Sequence, residues 1–364
     1  MWSSRTMSSL LDRLPNELLD HIISYLDIEP PSYTQLHLEP GSNITISGKT
    51  PLKHLSQSCS CLATFVRPYL FAHARLVLHY EPSEFCSFIR EWGLARYIKS
   101  ITVLVMDKDL PQRVTGHWLI EIFEFIDPLR ITILAPPRII GEALQTPIDE
   151  QHGWAFDIDQ QILKLEKNSY GNVDAYRPHP SENLLCTRPW TSLSFNEGSS
   201  LKAYNHYEYF SSHVPSVLSQ WGHEDPPMHF RAEMEDYFRG IESLSYTAIF
   251  PFYNHVENVN IVMRLMPRLR VVTVQLAPDA NNHATELEQR GSMDPNDPWM
   301  ELESAYSILG FNVQTKTSVQ EFRSRDFHVE AVRLDLESAL REQLPGWTHD
   351  DRGKWTRPPS GETS

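Results

Sequence analysis

The sequence has little cysteine and no long apolar run. Its four cysteines, spread through 364 residues, do not make a disulfide framework and are typical of a reducing compartment. No stretch approaches the roughly 18 apolar residues of a membrane-spanning helix, and the N-terminal residues lack the apolar segment of a secretory signal. We therefore expect an intracellular protein, in the cytoplasm, the nucleus or both, with no membrane partner.

Positive charge is also in short supply. The chain has 32 Lys and Arg residues against 47 Asp and Glu residues, a formal net charge of -15. A sequence-independent nucleic-acid binder needs a basic face, so this balance argues against a nucleic-acid partner. The sequence also shows no arginine cluster of the kind that binds phosphate groups.

Motifs that carry catalytic or metal chemistry are missing or incomplete. No Gly-x-Ser-x-Gly elbow occurs, and the 16 histidines have no spacing that marks a general base. Residues 47–50, Ser-Gly-Lys-Thr, match the end of a phosphate-binding loop, but Asn43 stands where that loop needs glycine. His223 and His229 lie near two carboxylates that suit zinc, although the two prolines between them exclude the helix of a metalloprotease pair. The sequence predicts no catalytic residue, no metal ligand and no cofactor, and hence a protein that is not an enzyme.

Proline is abundant, with 26 residues against 15 glycines. Because proline ends helices and strands, we expect short elements joined by irregular connections. Hydrophobic residues at 41% and charged residues at 22% are typical of a folded chain. The length suits two domains, or one small module followed by a longer body.

The first 75 residues have a helical pattern. Three short helices are predicted, over residues 14–26, 51–66 and 68–74, with Pro15 where a first helical turn tolerates it. Residues 33–50 between the first two helices read as an inserted loop or hairpin. Helices this short bury little surface among themselves, so they should pack on a partner or on the following domain.

After residue 75, strands alternate with helices. The strand candidates, rich in β-branched residues, are 98–106, 129–134, 190–195, 241–250, 269–276 and 327–334. The helix candidates are 83–92, 117–126, 201–221, 255–266, 299–309 and 335–344. Two pairs of strands begin 31 and 28 residues apart, at 98 and 129 and at 241 and 269, which is within reach of a leucine-rich-repeat-like unit. Because no candidate strand contains the full Leu-x-x-Leu-x-Leu-x-x-Asn string, an irregular repeat and a non-repeating α/β sheet remain as alternatives.

Two further features of the sequence carry predictions. One is an aromatic cluster that suits either a thick core or an exposed recognition patch. Its members are Tyr204, Tyr207, Tyr209, Phe210, Tyr246, Phe250, Phe252 and Tyr253. The other is the C-terminal segment 351–364, which is expected to be a flexible tail.

The N-terminal helices carry a recognisable pattern. It reads Leu-Pro-x-Glu-Leu-Leu-x-x-Ile-x-x-Tyr-Leu from Leu14, Leu-x-x-Leu-Ser-x-x-Cys-x-x-Leu from Leu52 and Pro-Tyr-Leu-Phe from Pro68. With this pattern the chain resembles the F-box family. The alternating strands and helices that follow are similar to fungal F-box proteins with a divergent leucine-rich-repeat-like body. The 18-residue insert at 33–50 is absent from the compact family pattern.

The resemblance implies a mixed α+β or α/β chain in two parts. The F-box, at residues 10–75 with its insert at 33–50, is a three-helix unit that docks on the Skp-type adaptor of a cullin-RING ubiquitin ligase. The irregular strand–helix body, at residues 76–350, selects a target protein whose identity the sequence does not give. Catalysis belongs to other subunits of the ligase, so the implied function is that of a substrate-recognition adaptor in an SCF-type complex.

Docking of this kind places apolar anchors on one side of a helix into a groove of the partner. The candidate adaptor-binding residues are Leu14, Pro15, Leu18 and Leu55. The alternative is that all four are internal core of a small helical domain. The residues expected in the core are Ile22, Leu26, Cys59 and Leu62.

Two other classes of function stay open. An F-box protein that acts outside a ligase, as a structural or trafficking component, would bind the adaptor without assembling with cullin. An enzyme with a pocket in the α/β body would show convergent histidines or carboxylates in a cleft.

Overall fold

The computed structural model describes residues 14–78, 82–106, 117–148, 158, 160–168, 183–206, 216–222, 228–279, 294 and 296–359. These residues form a mixed α/β structure around one ten-stranded, mostly parallel sheet, which confirms the predicted class. Within the described ranges, no helix is both long enough and apolar enough to cross a membrane.

The sheet takes its strands almost in chain order. The strands are β1 His73–Leu78, β2 Ser100–Val105, β3 Arg130–Ala135, β4 Gln161–Glu166, β5 Ser192–Ser199, β6 Ser243–Ile249, β7 Val271–Gln275, β8 Glu321–Ser324, β9 Thr348–His349 and β10 Lys354–Thr356. Their spatial order is β1-β2-β3-β4-β5-β6-β7-β8-β10-β9. The strand β4 runs antiparallel to both neighbours, and β10 runs antiparallel to β8 and β9, while the other pairs are parallel.

Helices connect the strands. They are α1 Asn16–Ser24, α2 Pro31–Thr34, α3 Thr50–Ser58, α4 Ser60–Leu70, α5 Ser83–Glu91, α6 His117–Phe125, α7 Pro137–Ala143, α8 Val217–Trp221, α9 Met228–Phe238, α10 Tyr253–Arg264, α11 Asp297–Thr315 and α12 Glu330–Gln343. Short 3-10 helices lie at Ser42–Thr45, Ala95–Tyr97, Leu184–Cys186, Leu201–His206 and Arg325–His328. Helices α1, α3 and α4 form an N-terminal helical part, and α5 to α12 pack against the sheet.

One continuous core fills the space between the sheet and helices α5 to α12. Alternate residues of each strand point into it, for example Val103, Ile133 and Leu163 at paired positions of β2, β3 and β4. Helix residues such as Ile122 and Val259 cover them. Because parallel neighbours in chain order place their connections on the same side of a sheet, this face is the buried one.

The opposite face of the sheet is polar. One row of paired positions crosses it from β1 to β8 and contains Arg75, Thr102, Thr132, Lys164, Ser194, Ser245, Thr273 and Arg323. We call this set the polar row. A small second cluster of Leu104, Leu134 and Ile162 lies beside it and is covered by Ile44 of the insert.

The N-terminal helices differ from their predicted bounds. The single helix expected over 51–66 is divided at Cys59, whose extended backbone and Sγ acceptor for the amide of Leu62 begin a new helix, α4. That helix contains Pro68, where the sequence predicts an end, and the expected third helix stops before Ala74, which belongs to β1. Serine favours a helix start, so Ser58 and Ser60 on either side of Cys59 are the sequence signal for this division.

Further assignments, in the body and at the C-terminus, differ from the structure. The strand expected at 327–334 is instead a 3-10 helix and the first turn of α12, since Val332, Leu336 and Leu340 bury one helical face. The sequence does not predict the strands β4, β8 and β9. Residues 354–356, assigned to the flexible tail, form β10, and Trp355 there is buried. A three-residue strand has no periodicity of its own, and it is formed by pairing with strands distant in the chain.

The other predicted strands and helices of the body are present near their expected bounds, with one partial exception, although α11 continues beyond 309 to Thr315 and α12 begins before 335 at Glu330. Of the helix expected over 201–221, the structure has a 3-10 helix at Leu201–His206 and the helix α8, and residues 207–215 lie outside the described ranges. In the aromatic cluster, Tyr204, Tyr246, Phe250 and Phe252 are core and Tyr253 is exposed. Tyr207, Tyr209 and Phe210 are not among the described residues.

Candidate functional site

The four candidate adaptor-binding residues do not share one environment. Pro15 and Leu18 are exposed, while Leu14 and Leu55 are half-buried. Pro15 precedes α1, and its carbonyl oxygen accepts the amide N–H groups of Leu18 and Leu19, so it holds the first turn. Leu55 packs against the small core of the helical part.

Helix α1 presents an apolar stripe to solvent. Leu18 is 48% exposed, Ile22 46%, Tyr25 74% and Ile28, just beyond the helix, 61%. We call these four residues the outer stripe. The expectation that Ile22 is core is therefore wrong, because α1 buries the adjacent stripe of Leu19 and Ile23 instead. A run of exposed apolar side chains on one helix face is a feature of interaction surfaces.

The buried side of α1 is fixed to the rest of the helical part. Ile23 packs with Leu52 and Val66 in a small core of its own. The hydroxyl of Tyr69 donates to Asp20 Oδ1 at 2.9 Å. Together these contacts leave the outer stripe pointing away from the protein.

A buried lysine ties the end of the insert to this helical part. Lys49, from the phosphate-loop-like sequence, is 3% exposed, and its ammonium donates to Asp27 and, at 3.0 Å, to the carbonyl oxygen of Tyr69. The ammonium group of Lys49 therefore holds the end of the insert against α4 and the residues after α1, which is a structural role.

The insert lies across the polar face of the sheet. Thr102 donates to the hydroxyl of Ser32 at 2.9 Å, and the amide of Asn196 donates to the carbonyl oxygens of Leu36 and Leu38, both at 2.8 Å. The ring of Tyr33 lies against the cationic groups of two sheet residues, with 4.1 Å from the Arg130 guanidinium carbon and 4.5 Å from Lys164 Nζ to the ring centroid. The insert therefore links the helical part to the sheet, and it is neither a free loop nor a hairpin.

Beyond the insert, the polar face opens into two adjoining cavities. The first, of about 150 Å³, lies between the insert and β4 to β7 and includes Ser194 and Ser245 of the polar row. The second, of about 480 Å³, lies beside β8 and β10. His37, Thr273 and Arg325 line both.

The second cavity is strongly basic, and we call it the arginine cleft. Its cationic and imidazole residues are Arg323, Arg325, Arg352, Lys354, His37 and His328. Among the described residues of the lining there is one carboxylate, Asp279, whose Oδ2 lies 3.7 Å from His328 Nε2. Glu321 forms ion pairs with Arg323 and, at 2.7 Å, with Lys354.

The charges of the arginine cleft act on one another. Partial burial, with Arg323 nearby, lowers the pKa of Arg325, although its side chain still meets solvent in the open cleft. The pKa of His37 is lowered by burial first and then by Arg325. Burial, the first cause of both shifts, disfavours the charged form of each group, and the neighbouring cations make further positive charge less favourable still.

The sequence does not predict the basic cluster of the arginine cleft. Its residues come from the insert, from the end of β8 and from the turn before β10, so no local pattern of basic residues announces it. A hint is the sequence Arg-Ser-Arg at 323–325, directly after a strand.

One group of potential metal ligands occurs among the described residues. Ligand atoms of Glu337, His349 and Asp351 lie within 4.8 Å of one another. Glu337 already accepts two N–H groups from Arg341, and Asp351 is largely exposed. The candidate zinc residue His223 and the side chain of His229 lie outside the described residues.

Comparisons with protein-family models, with curated proteins and with solved structures found no match.

Proposed function

We propose that this protein is a substrate-recognition adaptor of an SCF-type cullin-RING ubiquitin ligase. Residues 10–75 bind a Skp-type adaptor as an F-box, and through it cullin, while the body at 76–350 binds a protein target. The observation that supports this proposal best is the outer stripe of α1, since an apolar helix face fixed in place and exposed to solvent suits docking into a groove.

The insert contributes a second argument. Because it is hydrogen-bonded to β2 and β5, the outer stripe keeps a fixed orientation relative to the sheet face. A fixed orientation suits an adaptor that must hold a target at a set distance from catalytic subunits. The insert also leaves the outer stripe uncovered, so its presence does not block docking on that side.

The body is proposed to be an irregular leucine-rich-repeat-like coil. The strands β1, β2 and β3 begin at residues 73, 100 and 130, and β6 and β7 at 243 and 271, with helices on one face and chain-order pairing. The reversed strand β4 interrupts this regularity. An open polar sheet face in such a coil is a surface for binding another molecule.

The test is co-purification of the full chain with a purified Skp-type adaptor. In the test variant, Leu18→Glu and Ile22→Glu place two charges on the outer stripe. In the matched control, Phe311→Glu and Leu334→Glu change two exposed apolar residues on α11 and α12. We expect the wild type and the control to form a 1:1 complex, and the test variant to lose at least about tenfold in affinity because charge is buried in an apolar groove.

Thermal unfolding of the three proteins shows that any loss of binding is not a loss of fold, since all four changed residues are exposed. Adaptor binding that is absent in the wild type, or equal in the test variant, would contradict the proposal. Addition of cullin to the purified complex then separates a ligase subunit, which recruits cullin, from an F-box protein that works outside a ligase.

A further inference from the structure

Two guanidinium groups of the arginine cleft have no direct ion pair with a described residue. Within the described ranges, the guanidinium groups of Arg325 and Arg352 have no ion-pair or hydrogen-bond partner. Glu321 is already shared between Arg323 and Lys354. The acids that act electrostatically on Arg325 and Arg352 are Asp326, which is buried, and Asp350, respectively. Two unpaired guanidinium groups thus face one cavity.

This arrangement is unusual for the chain that contains it. The protein has a formal net charge of -15, so carboxylates are plentiful, yet the described residues that line the cleft include four permanent cations and one carboxylate. Like charges that lie together without partners destabilise a folded protein. They are explained when an external anion binds between them.

The rest of the lining suits a tetrahedral oxyanion. Arg323 uses its Nε toward Glu321, which leaves other N–H donors of its guanidinium. Thr273 adds a neutral hydroxyl on the floor. Gly353, with φ +88°, brings the chain of β10 so close to Ser324 that a Cβ at this position would lie 2.3 Å from the Ser324 carbonyl oxygen. This close approach places Gly353, between Arg352 and Lys354, against the end of β8, which directly precedes Arg325.

We propose that the arginine cleft binds a phosphate monoester, with Arg325 and Arg352 as its principal ligands. A single carboxylate would occupy one guanidinium fork, whereas a phosphoryl group offers three terminal oxygens and up to two negative charges to several donors at once. An extended polyanion such as nucleic acid is disfavoured, because the cleft is local and the whole chain is acidic. The inference does not depend on the F-box proposal.

Calorimetric titration of the full chain with inorganic phosphate, in low-salt buffer, tests the site. The test variants are Arg325→Gln and, separately, Arg352→Gln. The matched control is Arg268→Gln, an exposed arginine in the turn before β7 and outside the cleft. We expect each test variant to weaken phosphate binding by about tenfold or more, as the loss of a charge-assisted contact does, and the control to bind as the wild type.

Binding that is equal in all four proteins, or absent from the wild type at millimolar phosphate, would overturn the proposal. The adaptor co-purification is an independent readout, and Arg325→Gln should leave it unchanged. A failure of phosphate binding is therefore distinguishable from a failure of the F-box proposal.

A second set of titrations identifies the source of the phosphoryl group. The probes are O-phosphoserine, a short phosphoserine peptide and the same peptide with glutamate in place of phosphoserine. Equal affinity for phosphoserine and the phosphopeptide assigns the site to a small phosphorylated molecule, and tighter binding of the phosphopeptide assigns it to a protein segment that also reaches the neighbouring cavity. Preference for the glutamate peptide would contradict a phosphate monoester as the ligand.

Discussion

Asp326 is a fully buried carboxyl at the end of β8, next to the arginine cleft. One of its oxygens accepts the amide N–H of Leu276 at 2.7 Å and the hydroxyl of Tyr306 at 2.5 Å. Burial raises the pKa of Asp326 to about 6, and the hydrogen bonds oppose this shift only in part. The carboxyl group links the end of β7 to α11, and its contribution to the free energy of unfolding depends on pH.

The sign of that dependence follows from proton binding. Since the pKa in the folded state lies above the unfolded value of 3.8, the folded protein binds more protons than the unfolded chain between about pH 4 and pH 6. The contribution of Asp326 to the free energy of unfolding therefore falls as pH rises through this window and is level above it. Asp326→Asn keeps an acceptor oxygen but cannot ionise, so we expect it to remove a change of up to about 3 kcal/mol.

Urea unfolding of the wild type and of Asp326→Asn at several pH values between 4 and 7 measures the effect as the difference between two curves. Glu197, whose pKa is raised by burial, has the same sign. His73, whose pKa is lowered to about 4 by burial and then by Lys49, has the opposite sign. Both contributions cancel in the difference, and parallel curves would show that Asp326 is not the source.

For individual residues, the sequence predicts secondary structure better than it predicts which side chains face solvent or lie near one another. The spacing of Leu18 and Ile22 indicates an amphipathic helix, but which apolar stripe faces solvent depends on where α3 and α4 pack. Likewise, nothing around Arg325 in the sequence reveals that Arg352 and His37 lie near it.

At the scale of elements, the insert is the connection that most affects the architecture. Ile44, in its 3-10 helix, is fully buried against Leu104, Leu134 and Ile162 on the polar face. Thr45 accepts a hydrogen bond from Arg75 of β1 at 3.0 Å. A side chain from the insert thus completes a small core that the sheet alone would leave open to water.

We expect Ile44→Ala to lower the free energy of unfolding by about 2–5 kcal/mol, through lost burial and the cavity left behind. Ile46→Ala is the matched control, because Ile46 is 62% exposed in the same segment. Urea denaturation of both variants measures the difference. An equally small effect of the two changes would mean that the insert does not hold to the sheet.

Elements with a strong local pattern were predictable, and elements formed by distant pairing were not. The β-branched residues of β2 predict a strand, and the apolar period of α6 predicts a helix. By contrast, β10 has three residues, and its buried Trp355 gains its environment from β8 and β9. The sequence does not predict the break of the expected second helix at Cys59, because Cys59 lies where the apolar period of one continuous helix would also place a buried residue.

For the whole molecule, the helical part depends on the sheet. The core of α1, α3 and α4 has few fully buried apolar residues, of which Ile23, Leu52 and Val66 form one cluster. Hydrogen bonds from Thr102 and Asn196 bind the insert to the sheet. The helical part is thus held to the sheet through the insert, and the expectation that its short helices pack on a partner or on the following domain stays a prediction.

A fragment of residues 1–72 is therefore expected to be largely unfolded alone, since so small a core does not offset the loss of chain entropy. Far-ultraviolet circular dichroism of the fragment checks this, with the full chain as the reference. The full chain should unfold without an early transition from the helical part. A cooperative thermal transition of the isolated fragment would contradict this dependence.

The sequence by itself determined the mixed α/β class, most of the strands and helices of the body, the resemblance to the F-box family and the scarcity of basic charge. These properties follow from local composition and periodicity, which each segment carries with it. Only the tertiary structure decided that the outer stripe faces solvent, that the insert lies across part of the polar face and that Arg325 and Arg352 share one cleft. Those arrangements join residues far apart in the chain, and they are set by packing and strand order, which no single segment encodes.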